Sequence, residues 1–300
     1  MTHHLLIVGH GSRVPQAVTE FNVFAAAVAA KVDMPAATCF LELADPDLAT
    51  GLTDAARAVG AGGNVLVLPL FLGGAAHQKN DVAAAIRWAR EQFSDVNFHY
   101  GTPLGPHANL VTLTAHRVED VLIARADALL PEETAVLVVG RGSSDPASNA
   151  EIARTARLLW EKRPYLTVEY AFQAVAHPKV AEGLQRCIAL GARQIVVMPY
   201  LLFTGKVDES IRAIADRFSR EHNIPVLTTE YLNAHPLVVD VAVQRVREML
   251  DHTAAMTCDL CKYRFPMAGY EHQVGAEQHT HHLHGGSAHS HRHGHHHHHG

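Results

Sequence analysis

Short runs of consecutive apolar residues alternate along the chain with stretches whose apolar positions recur every three to four residues. Leu5 to Val8 is the first such run. Without polar alternation, it predicts a strand covered on both faces. After Pro15, the positions Val18, Phe21, Phe24 and Val28 mark one stripe of an amphipathic helix. Pro15 suits the first turn, where its missing N–H has no intrahelical partner to lose. The same reading predicts strands over 37–43, 65–72 and 96–100 and helices over 46–59, 81–93 and 110–130. From 131 the order begins again, with strands at 135–139, 167–172, 194–202 and 225–231. Helices follow each of these, at 147–162, 178–190, 208–221 and 235–250. Strands alternating with helices predict mainly parallel sheets flanked by helices, here two sheets of four strands.

The second half repeats the first. Leu5-Leu6-Ile7-Val8-Gly9-His10-Gly11-Ser12 returns about 131 residues later as Val136-Leu137-Val138-Val139-Gly140-Arg141-Gly142-Ser143. Asp45-Pro46 returns as His177-Pro178, and the run from Leu66 to Leu72 as Val196 to Leu202. A repeat of this length is a duplicated domain, since solenoid units span only about 20 to 50 residues. The expected division is 1–130, 131–250 and a tail over 251–300. That tail loses the apolar period. Residues 272–299 carry 13 of the 24 histidines among Gly, Ser and Thr, a composition that buries no core and predicts disorder.

Composition narrows the function. At 48% hydrophobic, 300 residues suffice for two cores. A formal charge of -5 without a basic stripe argues against nucleic acid. No apolar run approaches the roughly 20 residues of a membrane span. No signal-peptide pattern precedes the first strand, and four cysteines do not make a disulfide framework, so a soluble cytoplasmic protein is expected. A homodimer is left open.

The two copies differ where chemistry would sit. His10 lies between two glycines at the end of the first strand, and His77 follows the third strand. Glu42 is placed at the end of the second strand, in a run too apolar for an unpartnered carboxylate. The second copy has Arg141, Lys206-Val207 and Ala174 at these places. Parallel sheets bind ligands at the carboxyl ends of their strands, where all these residues fall. Two imidazoles and a carboxylate suit a divalent first-row metal, or general acid–base catalysis without one. The Gly9–Ser12 loop could instead cradle an anion. It lacks the third glycine of a dinucleotide fingerprint, and no phosphate-binding GxxxxGK[ST] is present, so neither NAD nor ATP is expected. No nucleophile elbow surrounds Ser12, which argues against a serine hydrolase.

In combination, GHGS after strand one, LELADP at strand two and PLFLxxxxHxKND at strand three resemble the class II chelatases, specifically the long CbiX-type sirohydrochlorin cobaltochelatases. The likeness covers about residues 3–250. It implies two similar α/β domains around a tetrapyrrole cleft and ATP-independent insertion of Co2+ into sirohydrochlorin in anaerobic cobalamin biosynthesis. It also implies that His10 and His77 are the catalytic, metal-handling histidines and Glu42 the associated acid. One departure is visible, Gly73-Gly74-Ala75-Ala76 in place of the usual Phe-Ala/Gly-Gly before the histidine. The substrate is rich in carboxylates, so Gly11 and Ser12 of the loop, with Arg13, Lys79, Arg141 and Lys206 at the rim, are its expected contacts.

The tail extends the resemblance. Met256-Thr257-Cys258-Asp259-Leu260-Cys261 matches an element associated in some relatives with an iron–sulfur cluster. Two thiolates are half of what a [4Fe–4S] cluster usually needs, so Cys258 and Cys261 suit a shared cluster or a single soft metal equally. Cys39 and Cys187 read as core residues. The histidine-rich stretch suits a reservoir of divalent metal. Two other functions remain: a sirohydrochlorin ferrochelatase for sirohaem, since imidazole does not separate Fe2+ from Co2+, and a metal store or metallochaperone in which the tail is the working part.

Overall fold

A computed structural model describes residues 2–75, 77–254, 272 and 274–276, and for His77 the backbone alone. The rest of the tail, Cys258 and Cys261 included, lies outside the described residues. β1 (His3–Gly9), β2 (Ala36–Phe40), β3 (Asn64–Pro69) and β4 (Asn97–Tyr100) form one parallel sheet in the order β2-β1-β3-β4. β5 (Thr134–Gly140), β6 (Thr167–Phe172), β7 (Gln194–Pro199) and β8 (Val226–Thr228) form a second in the order β6-β5-β7-β8. The register repeats as well, Gly9 lying beside Phe40 as Gly140 lies beside Phe172. β3, β5 and β7 are buried throughout, and β1 from Leu5 onward, which is why they read as unbroken apolar runs.

Among the described residues, an α-helix follows each strand: α1 (Pro15–Val32), α2 (Leu48–Val59), α3 (Ala83–Gln92), α4 (Ala108–Ile123), α5 (Pro146–Lys162), α6 (Val180–Ala189), α7 (Lys206–His222) and α8 (Pro236–Leu250). α2 and α3 cover one face of the first sheet, and α6 and α7 one face of the second, each over its own apolar cluster. The remaining faces share a single core that runs from Leu5 and Phe24 through Val138 to Val246. The last helix of each half crosses over to build it. α8 packs on α1 and β3 of the first half, while α4 packs on α5 and β7 of the second.

Three expectations from the periodicity shift. The second strand ends at Phe40, so Glu42 stands in the loop beyond it, where its N–H donates to the His10 carbonyl at 3.1 Å. The helix expected to run to 130 stops at Ile123, closed by the Ala124 N–H on the Asp120 and Leu122 carbonyls. The helix expected from Asp81 is preceded by a π-helical turn, His77–Val82, so His77 begins a turn rather than sitting in a free loop. Single π turns are rare and often mark functional sites.

Candidate active site

Strand order reverses between β1 and β3, so the loops leaving them diverge and open a crevice. A cavity of about 640 Å³ lies there, with walls from both halves: His10, Arg13 and Leu70 on one side, Arg141, Tyr200 and Lys206 on the other. Its size falls within the range of small-molecule and cofactor sites. Gly11, Ser12 and Gln78 complete the wall near the histidine loops. Burial pushes the Tyr200 hydroxyl far above the ordinary phenol range, so this phenol stays protonated.

His10 and Glu42 meet at one end of this cavity. Nδ1 of His10 lies 3.6 Å from Oε1 of Glu42, and each side chain is about one-third exposed. A glycine makes the meeting possible. Gly11 has φ +88°, and a Cβ there would lie 1.7 Å from the Glu42 carbonyl oxygen, so the two loops touch backbone to backbone. The second half keeps the same lock: Gly142 also has φ +88°, its Cβ would meet the Ala174 carbonyl at 2.0 Å, and Ala174 N–H donates to Arg141. The scaffold is therefore duplicated whereas the histidine and the acid are not. Glu42 does not line the cavity; it stands behind His10, its carboxylate beside the imidazole.

The cations divide. Arg13, Arg141 and Lys206 are exposed and border the cavity, as a site for a carboxylate-rich ligand requires. Lys79, expected at the same rim, is buried. Its Nζ lies 2.7 Å from Oδ2 of Asp145, with side chains 5% and 0% exposed. Ser12 borders the cavity while its Oγ accepts from Val14 N–H at 3.0 Å, holding the turn into α1. The position of the His77 ring falls outside what the structure describes. Among the described residues no group of three or more His, Cys, Asp or Glu side chains is arranged to cage a metal. Of the three residues expected to handle metal, the structure brings His10 and Glu42 together. Cys39 and Cys187 are buried, and burial pushes both thiols up, that of Cys187 to about 12, so neither is a nucleophile or a ready ligand.

Sequence reasoning missed Asp145, the buried partner of Lys79 and the N-cap of α5, accepting from Ala147 N–H at 3.0 Å. The Asp145-Pro146 dipeptide signals a helix start. Nothing near it signals a lysine 66 residues away.

Fold and site together define a duplicated parallel α/β protein whose cation-rimmed cleft is lined by His10, with Glu42 behind it. The CbiX family profile matches residues 4–121 and again 135–249, and the chain belongs to that family. It is 36% identical over 262 residues to the sirohydrochlorin cobaltochelatase of Priestia megaterium, covering 87% of this chain and 84% of that protein. It is 32% identical over 247 residues to the sirohydrochlorin ferrochelatase of the same organism, covering 82% and 90%. The crystal structure of the sirohydrochlorin chelatase SirB from Bacillus subtilis subspecies spizizenii, in complex with cobalt, superposes with a TM-score of 0.71 at 30% identity. That match covers 84% of this chain and 97% of SirB.

Proposed function

We propose that the protein is a sirohydrochlorin metal chelatase and that Co2+ is the metal it inserts. The observation that carries this reading is the His10–Glu42 pair at the cavity, built on one copy of a loop lock whose other copy holds Arg141 and Ala174. Insertion requires a hydrated metal to exchange its waters for ring nitrogens while two pyrrole N–H protons leave. His10 and His77 supply neutral nitrogens that hold the metal and accept those protons, and Glu42 balances the charge that His10 takes on. Arg13, Arg141 and Lys206 engage the carboxylates of the macrocycle, the arginines in bidentate fashion. The apolar wall around Phe21, Leu70 and Phe203 suits the ring face.

A metal store has no use for an apolar cavity of this size, so the storage reading loses its support. The choice between metals rests on less. A ferrochelatase matches nearly as much of the chain as a cobaltochelatase does, so duplicated length does not select cobalt. The higher identity to the cobaltochelatase and the histidine-rich tail favour Co2+. Initial rates followed by the visible spectrum of sirohydrochlorin, anaerobically with Co2+ or Fe2+, test the proposal. A higher kcat/KM with Co2+ is expected. Faster insertion of Fe2+ would make the protein a ferrochelatase, and no spectral change with either metal would end the chelatase reading.

A further inference from the structure

The half that lacks the two cleft-loop histidines holds the turn that carries one of them. Lys79 sits two residues beyond His77, within the π turn, and reaches out of its own half to Asp145. Asp145 is fully buried, and both its carboxylate oxygens are used: Oδ2 by Lys79 and Oδ1 by the Ala147 N–H at the start of α5. Its own N–H donates to Ser143 Oγ at 3.0 Å, and Asn149 Oδ1 accepts from Ser143 N–H at 2.9 Å. Ser143 and Asn149 line the cavity. The ion pair therefore joins the turn that opens at His77 directly to the opposite wall of the cleft.

Two further contacts fit the same role. Tyr100 donates its hydroxyl to the Gln78 carbonyl at 2.8 Å, tying the turn back to β4. The glycines that depart from the usual pattern give Lys79 its path. A Cβ on Gly74 would lie 3.3 Å from Lys79 Cε, and one on Gly73 would lie 3.1 Å from Ser148 Oγ in the first turn of α5. A side chain at either glycine would therefore press on the lysine stem or on Ser148 of the second half.

The geometry points to Lys79 as a positioning residue: its buried ion pair with Asp145 fixes the turn that begins at His77 against the second half. The inference rests on the reading that His77 acts in metal insertion. It assigns the second half a part in the chemistry besides holding substrate. Displacements of about 1 Å in a reacting group can cost about a hundredfold in rate.

Four full-length variants test it: K79Q, K79M, the double variant K79M/D145N, and H77A. Rates of Co2+ insertion into sirohydrochlorin are measured with thermal unfolding and with hydrogen exchange of the 77–82 amides. K79M leaves a buried carboxylate unpaired and should unfold at lower temperature. K79M/D145N removes both charges while Asn keeps the α5 cap, so unfolding temperature should recover whereas kcat stays ten- to a hundredfold below the parent. The KM for sirohydrochlorin should change less than threefold, and the 77–82 amides should exchange faster. If the double variant does not fold, K79Q, which keeps a donor to Asp145, carries the test through its kcat and exchange. Recovery of kcat together with stability would reduce the pair to a structural role and overturn the inference. H77A separates the two levels: an unaffected H77A removes the reading of the site and this inference with it. A crippled H77A beside a fully active, folded K79M/D145N removes the inference alone.

Discussion

Tyr231 in the second half donates its hydroxyl to Oε1 of Glu20 in the first, at 2.7 Å, and the Thr204 N–H reaches Oε2 of the same carboxylate at 2.9 Å. One acid on α1 thus clamps two segments of the other half beside the cleft. Burial and the bond to Glu20 raise the Tyr231 hydroxyl to about 12, so it remains a donor at all working pH values. E20A removes both bonds, and hydrogen bonds to a charged group are each worth about 1.5–3 kcal/mol. The expected loss in urea unfolding is about 3–6 kcal/mol, with Y231F losing less. An unchanged urea midpoint in E20A would show that the clamp contributes nothing.

His10 fills no core, being about one-third exposed on a loop. H10A should therefore keep its unfolding temperature within a degree or two and lose about 10²–10⁴-fold in insertion rate, the usual range for a general acid–base group. His177 is the control. It bonds Glu182 at 3.0 Å on the surface, at the start of α6. H177A should stay within twofold of the parent rate. Comparable losses in the two variants would remove His10 from the chemistry.

Acid should weaken the fold before it protonates most carboxylates. Burial lowers His4, His99 and His235 below the ordinary imidazole value, with His252, Arg90 and His3 adding to the shift at His99. A histidine whose folded pKa is depressed takes up its proton first in the unfolded chain. Stability is therefore full above the unfolded value of about 6.5 and is lost as pH falls through it. His235 gives the effect a local cause. Its neutral Nδ1 accepts from Leu237 N–H at the start of α8, and the protonated ring cannot accept. Unfolding temperature should drop between pH 7.5 and 5.5. H235N, which caps without titrating there, should flatten part of that drop; an unchanged slope would place the sensitivity elsewhere.

Every residue assigned to the cleft precedes position 210, and the last described helix ends at Leu250. A chain ending there should insert Co2+ at close to the full-length rate when the metal is plentiful. The histidine-rich stretch should matter only when free Co2+ is scarce. Initial rate against free Co2+ for both lengths decides the matter. A folded, shortened chain that stays inactive at saturating Co2+ would bring residues 251–300 into the enzyme itself.

The alternation of apolar runs and helical stripes is enough to read the two sheets, because parallel strands buried on both faces leave so direct a trace. The His10 loop is legible for a related reason: Gly11 must be glycine where Glu42 touches it, and the second copy preserves Gly142 while changing its neighbour. What could not be read depends on distance along the chain. Periodicity leaves Lys79 in the loop before the helix read from 81, where it looks like a surface cation, because its partner lies 66 residues on in the other half. Glu42 looks like a strand residue because Leu41 and Leu43 flank it, although Leu43 turns back at φ +64° and ends the extended run. An apolar stripe likewise shows that α4 and α8 are buried, without telling which sheet receives them.

That last ambiguity bears on how the chain could be divided. α8 presents Val239, Val246 and Met249 to a core shared with Leu5, Ile7 and Leu66, although more than 150 residues separate them in sequence. A cut in the exposed stretch between Ala124 and Leu130 would yield two pieces, each missing the helix that closes its own sheet and each carrying the helix that closes the other's. Expressed singly, the pieces should aggregate. Co-expressed, they should reassemble into an active pair without a covalent link, since every strand ladder is already complete within one piece or the other. The protein can then be treated as an obligate heterodimer whose subunits happen to be joined.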